Sequence, residues 1–508
     1  MKPAWIVLAV LLGGCLAGTE PPPVDDEYPT AWSELALPFG DDHDHFDYAQ
    51  HQNLTTPNFK IIGYDPLLSS TVAGTVGGHH CGDAQDMPDG RRIAAVEARY
   101  LGGFSIADVT DPSAPKWLGE FVMRQTRVYD VGVVPDGKHV LLVTTSQNPY
   151  AAIPGIPPAL PPLAGRETGI DWKDACTGEV SPILAATEDP VSRPFSLILV
   201  DISDPGAPEL VDQRPIPMDG HSIFATDVDG ELLILVSVYG PADYDYYQVY
   251  TILETEAGAK LEHLSTIGVQ NTGPPVVKVA SHDGWIAKHP KTGQTLAYMS
   301  GGTDFLIADI TDPRSPQMLS RWTDYDPAAS SYTGSLHSVF PLNELWDDRH
   351  YTVLGPEWAG HPGPRPSGTI WVLDTTDPRA PHAVAAWTLP HDVEWNGTYM
   401  FSNHYFGVWN ETLFVSMYHG GVWAVDLSNI SSDTFTLLPS IGVFMPDQPS
   451  PKPPAEILRW TPTLQEILPF EDGVLVTFDG ASGIYTLRFD ESNPMPAPEP
   501  WPIDPVSR

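Results

Sequence analysis

One repeated unit decides the fold of this chain, and its clearest copy is Phe305-Leu-Ile-Ala-Asp-Ile-Thr-Asp-Pro-Arg-Ser-Pro-Gln-Met-Leu-Ser-Arg-Trp322. The unit predicts an apolar strand, a tight turn and a second strand, because Asp bonds its own backbone two residues on and Pro fixes the next φ. Close copies begin at Phe104, Leu197 and Ile370, and a degenerate copy without the Pro covers residues 422–428. Self-similarity of this kind indicates an array of one supersecondary unit.

Between residues 58 and 490, short Val, Ile, Leu and Tyr runs alternate with Gly, Asp and Pro turns, which is the pattern of an all-β chain. The repeats define seven units, and the seventh lacks a clear fourth strand. Residues 58–64 form an extra strand ahead of the first unit. We therefore predict a seven-bladed β-propeller over residues 58–492 that is closed by its N-terminal strand, since closure removes exposed sheet edges.

The motif Asp-[Ile/Val/Thr]-[Thr/Ser]-Asp-Pro-x-x-Pro, which follows Leu/Ile/Val-rich strands, resembles the repeat of the LVIVD-repeat β-propeller family. The resemblance extends over residues 58–490 and implies the propeller fold. The family is mostly described as exported or surface-associated bacterial proteins without an assigned function. The resemblance therefore implies a location but no mechanism.

The first residues resemble an export signal, with one positive charge followed by an apolar run that is too short to span a bilayer. Leu12-Gly-Gly-Cys15 resembles a lipobox, so we predict that residues 1–14 are a lipoprotein signal peptide and that Cys15 is lipidated. The alternative is an ordinary signal peptide that contains a Cys. Leu16 favours the outer membrane or cell surface as the location in the cell envelope, with the lipid as the membrane anchor.

The remaining terminal segments are rich in proline. We predict that residues 15–57 form an acidic tether and that residues 493–508 form a tail. Within the tether, residues 41–47 could hold a divalent cation or could simply be solvated. The formal net charge of −39 argues against a nucleic-acid partner, because phosphate binding needs a basic surface.

A histidine register appears when the starts of the units are superposed. Five units start their first strand with a histidine, and the other two have a carboxylate there: His80, Asp130, His221, His282, His337, His404 and Glu466. Six residues later, six of the units have a residue typical of hairpin turns, namely Asp86, Asp136, Asp227, Asn343, Asn410 and Asp472, and only the fourth unit departs, with Lys288. First strands are innermost in a propeller, so five imidazoles and two carboxylates are expected around one end of the channel.

Converging imidazoles and carboxylates are ligands for Cu, Fe, Zn or Mn. We predict the five histidines as candidate metal ligands, with Asp130 and Glu466 orienting them or accepting a proton. The alternative is a structural ring in which a polar residue at each strand start bonds neighbouring backbone or channel water. His79, one residue out of phase with His80, should point away from the axis.

Cys81 and Cys176 are the two thiols left after Cys15. Cys81 opens the first strand, and Cys176 lies in a Pro-rich insertion of the next unit, residues 147–193, on the same face. Three interpretations are open: the two thiols form a disulfide, Cys81 is a metal ligand beside His80, or both thiols are free. The long loops that contain Trp358, Tyr244 and Tyr246 are expected at the histidine end of the channel. They either form the wall of a pocket or result from neutral growth of the loops.

Two function hypotheses follow. The first is a lipid-anchored binding or scaffolding module whose aromatic loop face contacts a protein or glycan. The second is a metal-dependent enzyme, for example an oxidoreductase, with the channel histidines as ligands. No Ser-His-Asp order, phosphate loop or zincin motif is present in the sequence. A stoichiometric transition metal in purified protein would favour the enzyme.

Overall fold

The computed structural model describes residues 55–67, 79–98, 103–122, 127–145, 196–216, 220–238, 244–256, 258–270, 281–323, 335–357, 369–389, 402–418, 420–431, 434–447, 464–480 and 482–494. These segments consist of strands joined by turns, in seven sheets. None of them is a helix with the length and apolar character that crossing a bilayer requires. The predicted all-β, seven-bladed propeller is confirmed.

The first three blades follow one another along the chain as antiparallel sheets of four strands, after a separate strand β1 (Phe59–Asp65). Blade one contains β2 (His79–Asp86), β3 (Arg92–Ala98), β4 (Gly103–Asp108) and β5 (Lys116–Val122). Blade two contains β6 (Arg127–Val133), β7 (His139–Thr145), β8 (Ser196–Asp201) and β9 (Glu209–Pro215). Blade three contains β10 (Gly220–Val228), β11 (Glu231–Val238), β12 (Tyr244–Thr255) and β13 (Gly258–Gln270).

The last four blades continue the series, with one added strand. Blade four contains β14 (Gly284–Lys288), β15 (Thr295–Gly301), β16 (Asp304–Asp309) and β17 (Gln317–Thr323). Blade five contains β18 (Ser335–Pro341), β19 (Tyr351–Glu357), β20 (Ile370–Asp374), β21 (His382–Trp387) and β25 (Thr436–Leu437). Blade six contains β22 (Phe406–Trp409), β23 (Thr412–Ser416), β24 (Val422–Asp426) and β26 (Ser440–Phe444), and blade seven contains β27 (Leu464–Pro469), β28 (Leu475–Asp479) and β29 (Gly483–Phe489).

The N-terminal strand completes blade seven, as the sequence predicts. β1 pairs antiparallel with β29, so that Phe59 stands opposite Phe489 and Asp65 opposite Ile484. The sheet order is β1-β29-β28-β27. The start and the end of the propeller are thus held together by one sheet, which leaves no unpaired edge between them.

The Asp-Pro turns have the local bonds expected from the motif. In the blade-four copy, Asp309 Oδ1 accepts the backbone N–H of Thr311 at 2.9 Å and Asp312 Oδ1 accepts that of Arg314 at 3.1 Å. Asp residues in the other copies bond the backbone two residues on in the same way. Both Asp positions of the motif therefore shape the turn between the third and fourth strands.

Each turn also docks on the preceding blade through the carbonyl of its Pro. Ser265 Oγ donates to Pro313 O at 2.5 Å, and Ser320 Oγ donates to Pro378 O at 2.7 Å. Between blades one and two the approach is closer, because a Cβ on Gly119 would lie 2.0 Å from Pro205 O. The repeat motif therefore fastens blade to blade as well as strand to strand.

The core is divided among the blade interfaces. Seven buried apolar clusters each combine side chains of two adjacent blades, including the interface of blades seven and one. This burial explains why the third strands are apolar on both faces.

Blade six departs from the sequence expectation in its outer region. Its copy of the motif lacks the Pro, and a longer connection follows β24 before β26. Within that connection β25 pairs in parallel with β21 of blade five, with Ala385 opposite Thr436. Loss of the tight turn thus frees a segment that extends the neighbouring sheet.

Candidate metal centre

Four of the five predicted histidines form a row at the inner edges of blades three to six. The ring centroids of His221 and His282 are 4.1 Å apart, those of His282 and His337 3.8 Å, and those of His337 and His404 4.5 Å. The row arises because each residue occupies the start of the first strand of its blade. The backbone of His80 lies in β2, but its side chain, like that of His79, is outside the described part of the chain.

The backbone carbonyls of three of these histidines link consecutive blades from blade three to blade six. Ser222 Oγ donates to the carbonyl of His282 at 2.6 Å. Ser300 Oγ donates to the carbonyl of His337, and Ser338 Oγ to that of His404. Serine hydroxyls therefore fasten consecutive blades at the channel wall through backbone carbonyls and not through the imidazole nitrogens.

Asp283 lies against the Nδ1 atoms of two of the imidazoles. Its Oδ1 is 3.0 Å from Nδ1 of His282, and its Oδ2 is 3.3 Å from Nδ1 of His337. Nδ1 of His337 is also 2.7 Å from Ser338 Oγ, whose hydrogen points to His404 O, so that Oγ accepts. With the proton on Nδ1, each ring presents the lone pair of Nε2, as metal-binding imidazoles with a carboxylate partner do.

Glu357, at the end of β19, faces both of these Nε2 atoms with one oxygen. Its Oε2 lies 3.5 Å from His337 Nε2 and 3.9 Å from His282 Nε2. These distances exceed a normal hydrogen bond of 2.7–3.2 Å. Two ligands of a tetrahedral ion with bonds of 2.0–2.1 Å stand about 3.4 Å apart. The other oxygen, Oε1, accepts the hydroxyl of Tyr418.

The electrostatics of the cluster favour ionised Asp283 and Glu357 beside a His282 imidazole whose pKa is lowered. Burial opposes ionisation of Asp283, but His337 and His282 hold its pKa well below the usual value. Burial likewise acts against ionisation of Glu357, and the charges of His337, His404 and His282 with the Tyr418 hydrogen bond lower its pKa. Burial and the neighbouring His337 lower the pKa of His282. A divalent cation would balance the two carboxylate charges and would take both imidazoles as neutral ligands.

The two predicted orienting carboxylates occupy different positions. Asp130 Oδ2 accepts the backbone N–H of Ile223 at 2.7 Å, so it fastens blade two to blade three. Glu466 Oε1 lies 3.3 Å from His404 Nδ1, where it can orient that ring. Burial raises the pKa of both carboxyls well above the usual value, and neighbouring carboxylates add to this effect.

The register of unit one differs from the sequence expectation. The turns closed by Met87 N to Arg91 O and by Val134 N to His139 O share a Pro-Asp-Gly sequence. When the two units are aligned on these turns, the residue equivalent to Asp130 is Asp83, which lies three residues after His80. Asp83 has the same role, because its Oδ2 accepts the backbone N–H of Val133 in the next blade at 2.9 Å. The assumption of a constant six-residue spacing was wrong here; the shared Pro-Asp-Gly turn would have revealed the shift.

Cys81 lies at the same end of the channel. Its Sγ is 3.9 Å from His404 Nε2 and 3.4 Å from Gln465 Oε1, and its backbone N–H donates to Glu97 Oε2 at 3.3 Å. Cys176 lies outside the described residues, so the disulfide remains a prediction. The same holds for Cys15, residues 41–47, the insertion 147–193, Trp358 and the side chains of Tyr244 and Tyr246.

Sequence reasoning missed Asp283 and Glu357. Asp283 directly follows His282, so an acidic neighbour of a register histidine was the available signal. Glu357 had a weaker signal, since it stands at the junction of the second and third strands of unit five, which topology places at the histidine end.

Comparisons with known proteins agree with the repeat assignment. The model of the LVIVD repeat matches residues 195–213, so the chain contains an LVIVD repeat within a seven-bladed propeller. No functionally curated protein matches the chain. Among solved structures, a functionally unknown protein from Desulfotomaculum acetoxidans DSM 771 has 11% identity and a TM-score of 0.43, with 71% of this chain and 88% of that chain covered. Saccharomyces cerevisiae Sqt1 has 10% identity and a TM-score of 0.44, with 82% and 97% covered.

Proposed function

We propose that the channel of this propeller binds one divalent transition metal ion through Nε2 of His282, Nε2 of His337 and Oε2 of Glu357. The observation that carries the proposal is the convergence of these three atoms at separations typical of ligands around one ion. The second atom of each ligand group is engaged elsewhere, by Asp283 for the histidines and by Tyr418 for the carboxylate.

The proposed ligand set supports a metal-dependent enzyme rather than a passive binding module. Two imidazoles and one carboxylate leave at least one coordination position for water or substrate, as in catalytic zinc sites and non-haem iron sites. A closed structural site would use four protein ligands. His221 and His404 flank the two histidine ligands, so they are close enough to act on a bound substrate or to supply a further ligand.

We further propose that this activity is exported and held at the cell envelope by a lipid on Cys15. The support is the sequence of residues 1–15 alone. Metabolic labelling with an alkyne fatty acid, followed by fractionation of membranes, tests the anchor. The Cys15→Ser variant should lose both the label and the membrane association. Retention of either in that variant would contradict the lipoprotein assignment.

The metal proposal is tested by elemental analysis of the purified protein after reconstitution with Zn²⁺, Fe²⁺, Cu²⁺ or Mn²⁺ in turn. One ion should be retained per chain for at least one of these metals. His337→Ala and Glu357→Gln should lose the ion while the protein stays folded. The matched control is His263→Ala, because His263 lies in β13 and contacts Thr266 rather than the channel cluster. Metal-free wild-type protein under all four conditions would overturn the proposal.

A further inference from the structure

Cys81, His404 and Glu466 form a second cluster of metal-ligating groups in the channel. A ligand atom of each residue lies within 4.8 Å of the others, and all three residues are buried. Cys81 Sγ is 3.9 Å from His404 Nε2, and Glu466 Oε1 is 3.3 Å from Nδ1 of the same ring. A sulfur and a nitrogen ligand of one tetrahedral zinc ion stand about 3.6 Å apart. The cluster therefore has the dimensions of a three-ligand metal site.

This cluster involves other blades than the centre proposed above. That centre, the first site, has its ligands in blades four and five: His282, His337 and Glu357. In the second cluster, Cys81 lies in β2 of blade one, His404 precedes β22 of blade six and Glu466 lies in β27 of blade seven. The rings of His337 and His404 pack with their centroids 4.5 Å apart, so the two clusters are neighbours. An ion in the second cluster would link the blades that meet where the propeller closes.

The surroundings of the second cluster are acidic. Asp283, Asp83 and Glu97 act through space on Glu466. Glu97 also accepts the backbone N–H of Cys81 at 3.3 Å. A buried group of like charges is costly unless a cation offsets it. The Cys81 thiolate and the Glu466 carboxylate would together balance the charge of one divalent ion.

Gln465 contacts two of the three side chains in the cluster. Its carbonyl oxygen lies 3.2 Å from His404 Nδ1, and its Oε1 lies 3.4 Å from Cys81 Sγ, where it accepts the thiol hydrogen. A backbone carbonyl beside one imidazole nitrogen fixes the orientation of many metal-binding histidines. With Nδ1–H donated to this carbonyl, Nε2 of His404 can bind an ion beside Sγ. An ion bound there would replace the thiol hydrogen.

We propose that Cys81, His404 and Glu466 bind a second divalent ion, of a metal that accepts thiolate ligands such as Zn²⁺, beside the ion of the first site. The thiol releases its proton to solvent as the metal–sulfur bond forms. The thiolate makes this site softer than the first site, whose ligands are nitrogen and oxygen atoms. Three protein ligands leave a position for water or substrate at the second ion as well.

The test is titration of the metal-free full chain with Co²⁺ in the absence of reductant. Co²⁺ takes the place of Zn²⁺, and a thiolate ligand gives it a charge-transfer absorption band in the near ultraviolet. The wild-type protein should bind two ions per chain and show this band. Cys81→Ser should lose the band and retain one ion. Cys176→Ser is the matched control and should keep both the band and the two ions.

Two further variants separate the second site from the first. His337→Ala should keep the band and one ion, because the first site alone is removed. Glu466→Gln should weaken binding of the ion that gives the band by more than about 100-fold, since loss of a ligand exceeds the cost of losing a ligand's partner. This variant keeps the test valid if Cys81→Ser does not fold. His263→Ala should change neither the band nor the number of ions.

Three outcomes would overturn the inference. One bound ion without the band would leave the first site alone. One ion whose band is lost in both Cys81→Ser and His337→Ala would indicate a single ion shared by the two clusters. A band that appears only after a reductant is added would indicate a disulfide between Cys81 and Cys176. Conversely, one ion with a band that His337→Ala does not alter would support the second site while the proposal for the first site fails.

Discussion

Blades four and five contain two buried pairs of histidines, and the pairs have different partners. His282 and His337 stand with their ring centroids 3.8 Å apart, and His289 and His350 stand 4.5 Å apart. His282 lies just before β14 and His337 lies near the start of β18, whereas His289 and His350 follow these two strands.

In the second pair, all four ring nitrogens have protein partners at hydrogen-bonding distance. His289 Nε2 donates to Thr375 O at 2.9 Å, and its Nδ1 accepts backbone N–H groups of Lys291 and Thr292. His350 Nε2 donates to Leu342 O at 2.7 Å, and its Nδ1 lies 2.8 Å from Thr375 Oγ1. These rings complete the turns that join the first two strands, so their role is structural.

In the first pair, the Nδ1 atoms contact Asp283 and Ser338. The Nε2 atoms face Glu357 at 3.5 and 3.9 Å, beyond a normal hydrogen bond. The comparison teaches that burial of a histidine pair does not by itself indicate a site. The distinguishing feature is that two imidazole nitrogens and one carboxylate oxygen lie close enough together to share one cation.

The largest effect is expected from removal of a ligand imidazole. His337→Ala should lower metal affinity by more than about 100-fold, since loss of a ligand exceeds the 10- to 100-fold cost of losing a ligand's partner. Isothermal titration of metal-free protein measures the affinity. His350→Ala should leave the affinity unchanged; equal losses in the two variants would show that the pairs do not differ in function.

The same two substitutions should have the opposite order of effects on the free energy of unfolding. His350→Ala should lower the free energy of unfolding by roughly 2–3 kcal/mol, because Leu342 O and Thr375 lose a buried partner and a cavity forms. Denaturant titration of metal-free samples measures this. His337→Ala should cost less under the same conditions, because Ser338 Oγ is still bonded to His404 O. A larger loss for His337→Ala would favour the structural ring.

Asp283→Asn tests the partner that orients both ligand imidazoles. The Asn amide has the same volume as the Asp carboxylate, but its single oxygen cannot accept the Nδ1–H groups of both imidazoles. Metal affinity should therefore fall by about 10- to 100-fold. Asp130→Asn is the matched control, because Asp130 accepts a backbone N–H in the neighbouring interface. The two variants should be compared by metal titration, and an unchanged affinity in Asp283→Asn would remove Asp283 from the proposed centre.

The smallest effect is a pH dependence of stability that originates in the structural pair. Burial and the neighbouring His289 lower the pKa of His350 to about 4 from 6.5. The unfolded chain therefore binds the extra proton first, so this contribution to stability is complete above pH 6.5 and is lost as the pH falls toward 4. Between about pH 7.5 and 5.5 the metal-free protein should lose roughly 1 kcal/mol through His350. His350→Gln should reduce the slope; an unchanged slope would assign it to other groups.

The propeller was predictable because its signals are local and repeated. The apolar strand, the Asp turn and the Pro stop recur with little change, and a missing strand at one end matched an extra strand at the other. The row of histidines followed from the same register. Local signals failed in unit one, where the spacing between the register position and the first turn differs from the assumed six residues. The residue equivalent to Asp130 is therefore Asp83 and not His80.

By itself the sequence determined the seven blades, the closing strand and the end of the channel at which the histidines lie, since all three follow from repetition along the chain. The tertiary structure alone decided which groups meet. Glu357 comes from a second strand, Tyr418 from another blade, and Asp283 reaches a histidine 54 positions away in sequence. Such convergence depends on the curvature that closes the propeller, and curvature is a property of packed blades rather than of any one repeat.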